Sequence, residues 1–253
     1  MHIAADNSDR STVGISGPIF EDYTFEFIPI IESCDGTKKS GCTSKETRTY
    51  STIKSRNPKF GSLLSDFVPS DTKDHLVHYD PDMKNFTYSD PEIVPRAKML
   101  SKLAAGDYLF FIASLAPFNK DAYSSSDRRT INAWQKKKMA KYIIGYFCVK
   151  GVYHVINNWN KINVKGIDPS KNVLKQINQS AHSKRNNDRF VIAVGKKDRK
   201  SALLKSALRL TFNGSPFRPT NFAKKIYGNV GFPRGFKLIQ EPEKVSALLR
   251  AIT

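Results

Sequence analysis

Two continuous apolar runs limit what this chain can become. Tyr108 to Leu115 and Lys141 to Val149 are each almost unbroken in hydrophobic character, yet fall far short of the ~20 apolar residues that cross a bilayer. A run of that length, bounded by turn signals, packs as a strand covered on both faces. Ala105-Gly106-Asp107 supplies such a turn before the first run. The two strands are expected to lie antiparallel at the centre of a sheet. Upstream, Met99, Leu100 and Leu103 share one face of a predicted helix over 95–104. Pro95 sits in its first turn, where a missing N–H does no harm.

Around this centre the signals alternate. Phe20 to Ile30 reads as a half-buried strand, with Pro29 marking an edge or an end. Residues 32–58 and 71–90 are polar and read as long ordered loops, which in compact domains are more often functional than connective. Gly151 and His154 lie in a weaker third strand. Residues 124–138 and 170–179 read as helices, the second capped by Ser170. Next come a buried strand over 190–194, a short amphipathic helix or turn over 201–208, and helices over 221–227 and 242–252. The last is expected to bury Val245, Leu248, Leu249 and Ile252. The expected architecture is one α+β domain over 1–253, with a central mixed or antiparallel sheet and flanking helices. Residues 1–90 form a long-loop elaboration ahead of a basic core over 91–253.

Charge narrows the function. The chain carries 41 Lys/Arg and 23 Asp/Glu, a net of +18. Residues 1–119 hold 13 basic and 16 acidic side chains, which leaves 28 and 7 for residues 120–253. Such segregation builds a field of several kT and concentrates anionic partners. Nucleic acid, DNA or RNA, is the expected partner, and a membrane is not. Met1 to Arg10 is polar, with Asp6 and Asp9, unlike a signal peptide, so the expected location is the cytoplasm. Three cysteines without a CxxC pair argue against a thiolate zinc site or a disulfide scaffold. Cys34 and Cys42 flank a Gly/Lys-rich loop and could meet, and Cys148 reads as a small buried hydrophobe.

Short pieces stand in a telling order: Gly17-Pro18-Ile19-Phe20, Phe27 to Pro29, Thr49-Tyr50-Ser51, and His78-Tyr79-Asp80-Pro81-Asp82. Gly106 to Phe111, Ile144 to Val149, Phe190 to Gly195, Leu203-Leu204 and Leu210-Thr211 follow. Over nearly its whole length the chain resembles the nucleotide modification associated domain family, third type. That resemblance implies a role in systems that modify nucleotides or handle modified ones. A more local likeness covers Arg96 to Phe111 and Ile143 to Val149: a helix, a Gly-Asp turn, a buried strand and an Ile-Gly-Tyr-like strand. It is similar to PUA-like barrels such as the EVE, ASCH and YTH domains. It implies, as the alternative to an open sheet, a barrel that accepts an extruded or single-stranded base in an aromatic-lined pocket.

Phosphate contacts require cations, and splayed bases require aromatic faces. Candidate cations are Arg128, Arg129, Lys136, Lys137 and Lys138 around Trp134, then Lys184 and Arg185, then Lys196, Lys197, Arg199 and Lys200. The last run could set backbone amides and the N-terminus of the following helix beside a phosphate, without Walker spacing. Tyr50 and Tyr79 are the candidate base-pocket aromatics. His78, Asp80 and Asp82 offer a general acid/base pair, because a carboxylate beside an imidazole orients it or shares its proton. Equally, Asp80-Pro81-Asp82 nucleates a turn on its own. The spacing of this segment matches no metal-ligand pattern, so neither a metal nor another cofactor is expected. His182 could bond a phosphate or the core. Nucleophile elbows, HExxH and Rossmann glycines are absent.

Two readings stay open. The first is a module that binds nucleic acid and recognises a modified or extruded base. The second is an enzyme acting on a nucleotide or base through His78, Asp80 and Asp82, which would explain the long first third.

Overall fold

The computed structural model describes residues 16–32, 44–124, 128–158, 161–165, 169–185, 188–198, 200–214, 217–228 and 239–252. Its strands are β1 (Gly17–Ile19), β2 (Ile30–Ile31), β3 (Val77–His78), β4 (Thr87–Pro91), β5 (Tyr108–Pro117), β6 (Ala140–Asn158), β7 (Lys161–Lys165), β8 (Asp188–Gly195) and β9 (Ala202–Arg209). Its α-helices are α1 (Pro95–Leu100), α2 (Lys120–Ser124), α3 (Arg128–Lys138), α4 (Lys171–Asn178), α5 (Asn221–Tyr227) and α6 (Pro242–Ile252).

Both apolar runs form strands, and they pair antiparallel, with Leu109 opposite Phe147. The second run continues into the weaker third segment, so that β6 is one strand of 19 residues. Its first half pairs with β5 on one edge and β9 on the other. Between Val149 and Gly151 the register shifts, and beyond that point β8 and β7 become its neighbours. A bulge of this kind bends a strand and re-aims it. β4 adds to β8, and β1 adds to β5 as a parallel pair. The result is a mixed sheet of seven strands hung on β6. The sheet is not closed into a barrel, so the PUA-like barrel alternative is corrected. A spine strand that exchanges one pair of neighbours for another makes the sheet fork instead of curling onto itself.

The main core gathers on this spine. Phe111 and Phe147, wholly buried, meet edge to face at 4.5 Å. Leu100 of α1, Ile226 of α5 and Leu248 of α6 close over the same cluster. A second core joins Phe20, Tyr50, Phe67 and Val77 to Tyr123 and Ile131 of α2 and α3. A third packs Val173 and Ile177 of α4 on Phe190, Ile192 and Val194 of β8. Among the described residues no helix is long and apolar enough to cross a membrane.

Three local expectations need correction. Residues 201–208 form β9, not a helix. Leu203 pairs with Gly145 and Leu208 with Ile143, so four residues of β9 bulge opposite one of β6. The bulge buries Leu204 and Ala207, and Leu210 is buried just after β9, a spacing of three that imitates a helix. The predicted strand over 20–30 is mostly a turn and buried irregular chain between β1 and β2, with Tyr23 in the left-handed region at φ 61. Ser170 stands at the N-cap of α4, but its side chain makes no capping bond. Cys34, Cys42 and Arg199 lie outside the described residues.

Candidate functional site

Four separate chain segments converge beside β8. In the β2–β3 ribbon Ile30 pairs with His78, and the Glu32 amide donates to the Leu76 carbonyl at 2.8 Å. That pairing sets Glu32 beside His78. The Lys45 amide donates to the Lys184 carbonyl at 2.8 Å, bringing residues 44–48 against the short 3-10 turn His182–Lys184. Asn157, buried at the end of β6, donates from Nδ2 to the Ser183 carbonyl at 3.0 Å and also to the Arg185 carbonyl. One side chain of the sheet thereby fixes the turn.

The first feature of this region is an open cleft of about 600 Å³, within the size range of small-molecule sites. Phe27, Leu64, Met83 and Leu203 give it apolar lining, and Lys54, Arg56, Lys84 and Lys184 bring cations. Tyr79 lines it with the Arg48 guanidinium 4.8 Å from its ring centre. Burial pushes the Tyr79 phenol up to about 12, against the pull of Arg48, so it stays protonated at neutral pH. Two carboxylates also line the cleft. Glu26 accepts from Ser55 Oγ at 2.8 Å and the Arg56 amide at 2.9 Å. Asp82 accepts from the Lys84 and Asn85 amides at 3.1 Å and from Asn85 Nδ2 at 2.7 Å. Burial raises both above the ordinary carboxylate range. Such groups can stack a planar ring, accept hydrogen bonds from its edge and attract phosphate. A second cleft of about 610 Å³ opens near Phe60 and Phe118. Its Arg209 is already engaged by the Thr211 carbonyl and Asn213 Oδ1.

Glu46 braces the cleft from behind. It takes two bonds of 2.8 Å from Arg48 and one of 2.7 Å from Lys184 Nζ. Burial opposes its ionisation, but these cations outweigh burial and hold the carboxyl at about 2. Because this value lies below the ordinary 4.5, the stabilisation is complete above that pH and is lost as pH falls toward 2. Glu46→Gln is therefore expected to cost on the order of 2–3 kcal/mol at pH 7, allowing for screening of its partly exposed partners. By pH 3 the gap between wild type and variant should more than halve. Urea unfolding at both pH values measures it, and a gap that does not move would refute the assignment.

The second feature lies deeper. His78 and His182, 1% and 4% exposed, stand edge to face with ring centres 4.6 Å apart. Glu32 Oε2 is 3.2 Å from His78 Nδ1, and Glu32 Oε1 accepts from Arg185 Nε at 2.8 Å. Burial, reinforced by Arg185, lowers His78 to about 4 despite Glu32, so the ring is neutral at pH 7. Asp80 Oδ2 lies 4.0 Å from His182 Nε2. One donor atom each of His78, Asp80 and His182 falls within 4.8 Å of the others, a grouping able to hold a cation.

The structure thus divides the predicted acid/base trio. His78 and Asp80 join His182, while Asp82 lines the cleft with Tyr79. Tyr50 is wholly buried and donates to the Pro29 carbonyl at 2.7 Å; its ring packs in the second core. Lys184 reaches the cleft bound to Glu46, and Arg185, with 12% of its side chain exposed, is spent on Glu32. Arg128 and Arg129 begin α3, and Lys136, Lys137 and Lys138 end it on the surface. Trp134 packs edge-on against Tyr123. Trp134, Lys136, Lys137 and Lys138 do not line the cleft. Lys196 and Lys197 follow β8, and Lys200 precedes β9, so no helix start meets a phosphate there. This run nevertheless begins near the cleft, because Gln176 Nε2 donates to both the Asn85 and Gly195 carbonyls. Sequence reasoning missed Glu26, Arg48, Lys54, Arg56 and Lys84, which sit singly in the acidic third. The one signal that pointed to Arg48, Lys54, Arg56 and Lys84 was the length of the polar loops, and none pointed to Glu26.

Fold and site together define a class: an open-sheet α+β fold with a cation-edged cleft and, on neighbouring chain positions, a buried histidine pair. The chain belongs to the nucleotide modification associated domain 3 family, whose model matches residues 3–228. Its role is accordingly associated with nucleotide modification. No curated protein and no solved structure matches it.

Proposed function

We propose that this protein binds a nucleotide, or an extruded base of a nucleic acid, in the Tyr79 cleft as a recognition component of a nucleotide-modification system. One observation carries the reading: a single cleft of about 600 Å³ combines a ring face, lysine and arginine side chains, and two desolvated carboxylates. Base edges present N–H donors that an oriented Asp or Glu accepts. The ring would stack against Tyr79 and Arg48, with phosphate toward Lys54 and Lys84. The basic later half would hold the rest of a polymer by charge alone, which makes affinity depend steeply on salt.

The enzyme alternative draws on the Asp80, His78 and His182 group, whose chain neighbours Tyr79 and Lys184 line the cleft. Binding of nucleoside monophosphates and single-stranded oligonucleotides, followed by calorimetry and anisotropy across a salt series, tests the first reading. Tyr79→Leu is expected to lose about 1–3 kcal/mol, the worth of a stacked base. Lys54→Ala and Lys84→Ala should each lower the salt slope for oligonucleotides by about one. A Lys136/Lys137/Lys138 triple alanine variant should keep monophosphate affinity. Full affinity in both Tyr79→Leu and Lys84→Ala would end the proposal. Loss of a base modification in cells expressing Asp80→Asn, with binding intact, would favour the enzyme.

A further inference from the structure

We propose that His78, Asp80 and His182 form a binding site for a divalent first-row transition metal ion. The inference stands apart from the cleft reading, because it rests on different side chains. His78 Nε2 is buried and has no hydrogen-bond partner among the described residues. A buried polar atom left without a partner loses its hydration for nothing in return, a cost that a bound cation offsets directly. His78 Nδ1 likewise makes no hydrogen bond among the described residues, but Glu32 Oε2 stands 3.2 Å from it, and that carboxylate favours the tautomer with its proton on Nδ1 and its lone pair on Nε2. A carboxylate behind a ligating imidazole is the usual outer support of a metal site. Here Arg185 anchors that carboxylate in turn.

The distances suit the task. Three donor atoms no more than 4.8 Å apart lie within about 2.8 Å of a common point (4.8/√3), so shifts of under about 1 Å reach bonds of ~2.0–2.2 Å. Two imidazoles and one carboxylate match the preferences of Zn²⁺, Co²⁺, Mn²⁺ or Fe²⁺ and leave a coordination position open. Asp80, with 21% of its side chain exposed, marks the way in from solvent. Its charge is available to the ion, while the Glu32 carboxylate behind His78 offsets the nearby Arg185. No sequence pattern announces the site, since His182 follows Asp80 by a hundred residues.

Untagged full-length protein, stripped with chelator, is titrated with ZnCl₂ by calorimetry and with CoCl₂ by visible absorption. One equivalent is expected, with a cobalt d–d spectrum that indicates nitrogen and oxygen ligands. Asp80→Asn and His182→Gln should each weaken binding at least tenfold, and Glu32→Gln by about 10–100-fold. His75→Asn and His154→Asn should change nothing. Should His78→Gln fail to fold, the partly exposed Asp80 still decides the matter through Asp80→Asn and its conservative partner Asp80→Glu, which should keep the spectrum. Absence of binding overturns the proposal. So does affinity unchanged in both Asp80→Asn and His182→Gln, or lost in the His75 or His154 control. Tyr79→Leu should bind the metal normally, which separates this result from any failure of the cleft reading.

Discussion

Glu32→Ala is expected to destabilise the protein by about 3–5 kcal/mol, the usual consequence of removing one partner from a buried ion pair. The Glu32 side chain is 1% exposed and holds Arg185 at 2.8 Å, with His78 at 3.2 Å on its other oxygen. Alanine would leave the Arg185 guanidinium facing a neutral imidazole, with little water to screen it. The cost arises from that stranded charge and not from the worth of the pair. Replacing both groups, as in Glu32→Leu with Arg185→Met, should therefore recover most of the loss, since apolar pairs of similar volume often do as well as buried ions. Chemical unfolding of the single and double variants measures both. A single variant within 1 kcal/mol of wild type, or a double variant worse than the single, would overturn this account.

The elements that were legible in the sequence are those whose pattern is local and strong. The runs at Tyr108 and Lys141 became β5 and β6, the Pro95 start became α1, and the 221–227 and 242–252 periodicities became α5 and α6. Where a bulge set the spacing, as at Leu204 and Ala207, a strand imitated a helix. The length of β6 was hidden because Lys150-Gly151 resembles a turn, while in the fold it marks an exchange of sheet neighbours. The site was half visible. His78, Tyr79, Asp80 and Asp82 stood out as one polar run, but their orientations depend on pairing with Ile30 and on a loop far along the chain. His182, Glu32 and Asn157 meet them only through tertiary structure. The charge count carried its own lesson. Arg185 and Lys184 belong to the basic half, yet Glu32 and Glu46 of the acidic half engage them. Cleft cations such as Lys54 and Arg56 come from the segment whose net charge is negative.

Phe147→Ala should cost about 3–5 kcal/mol, and it should loosen the cleft as well as the core. Phe147 is wholly buried on β6, edge-on to Phe111 at 4.5 Å and to Phe86 at 5.7 Å. It lies so close to Gly195 that a Cβ placed there would be 3.1 Å from its ring. Phe86 occupies the left-handed region, φ 53, which disfavours a side-chain-bearing residue by roughly 1–2 kcal/mol. Packing on Phe147 offsets that strain, aided by the Gly195 amide donating to the Phe86 carbonyl at 2.7 Å. Since Phe86 ends the loop that carries Asp82, Lys84 and Asn85, removing the ring frees the wall of the cleft from the sheet. Phe147→Leu retains most of the volume and should cost under about 1.5 kcal/mol. Urea unfolding gives the stabilities, and amide exchange at residues 82–86 gives the local effect. Faster exchange there in Phe147→Ala, beyond its global loss of stability, is the expected outcome. Exchange that merely follows global unfolding would show that the loop holds itself.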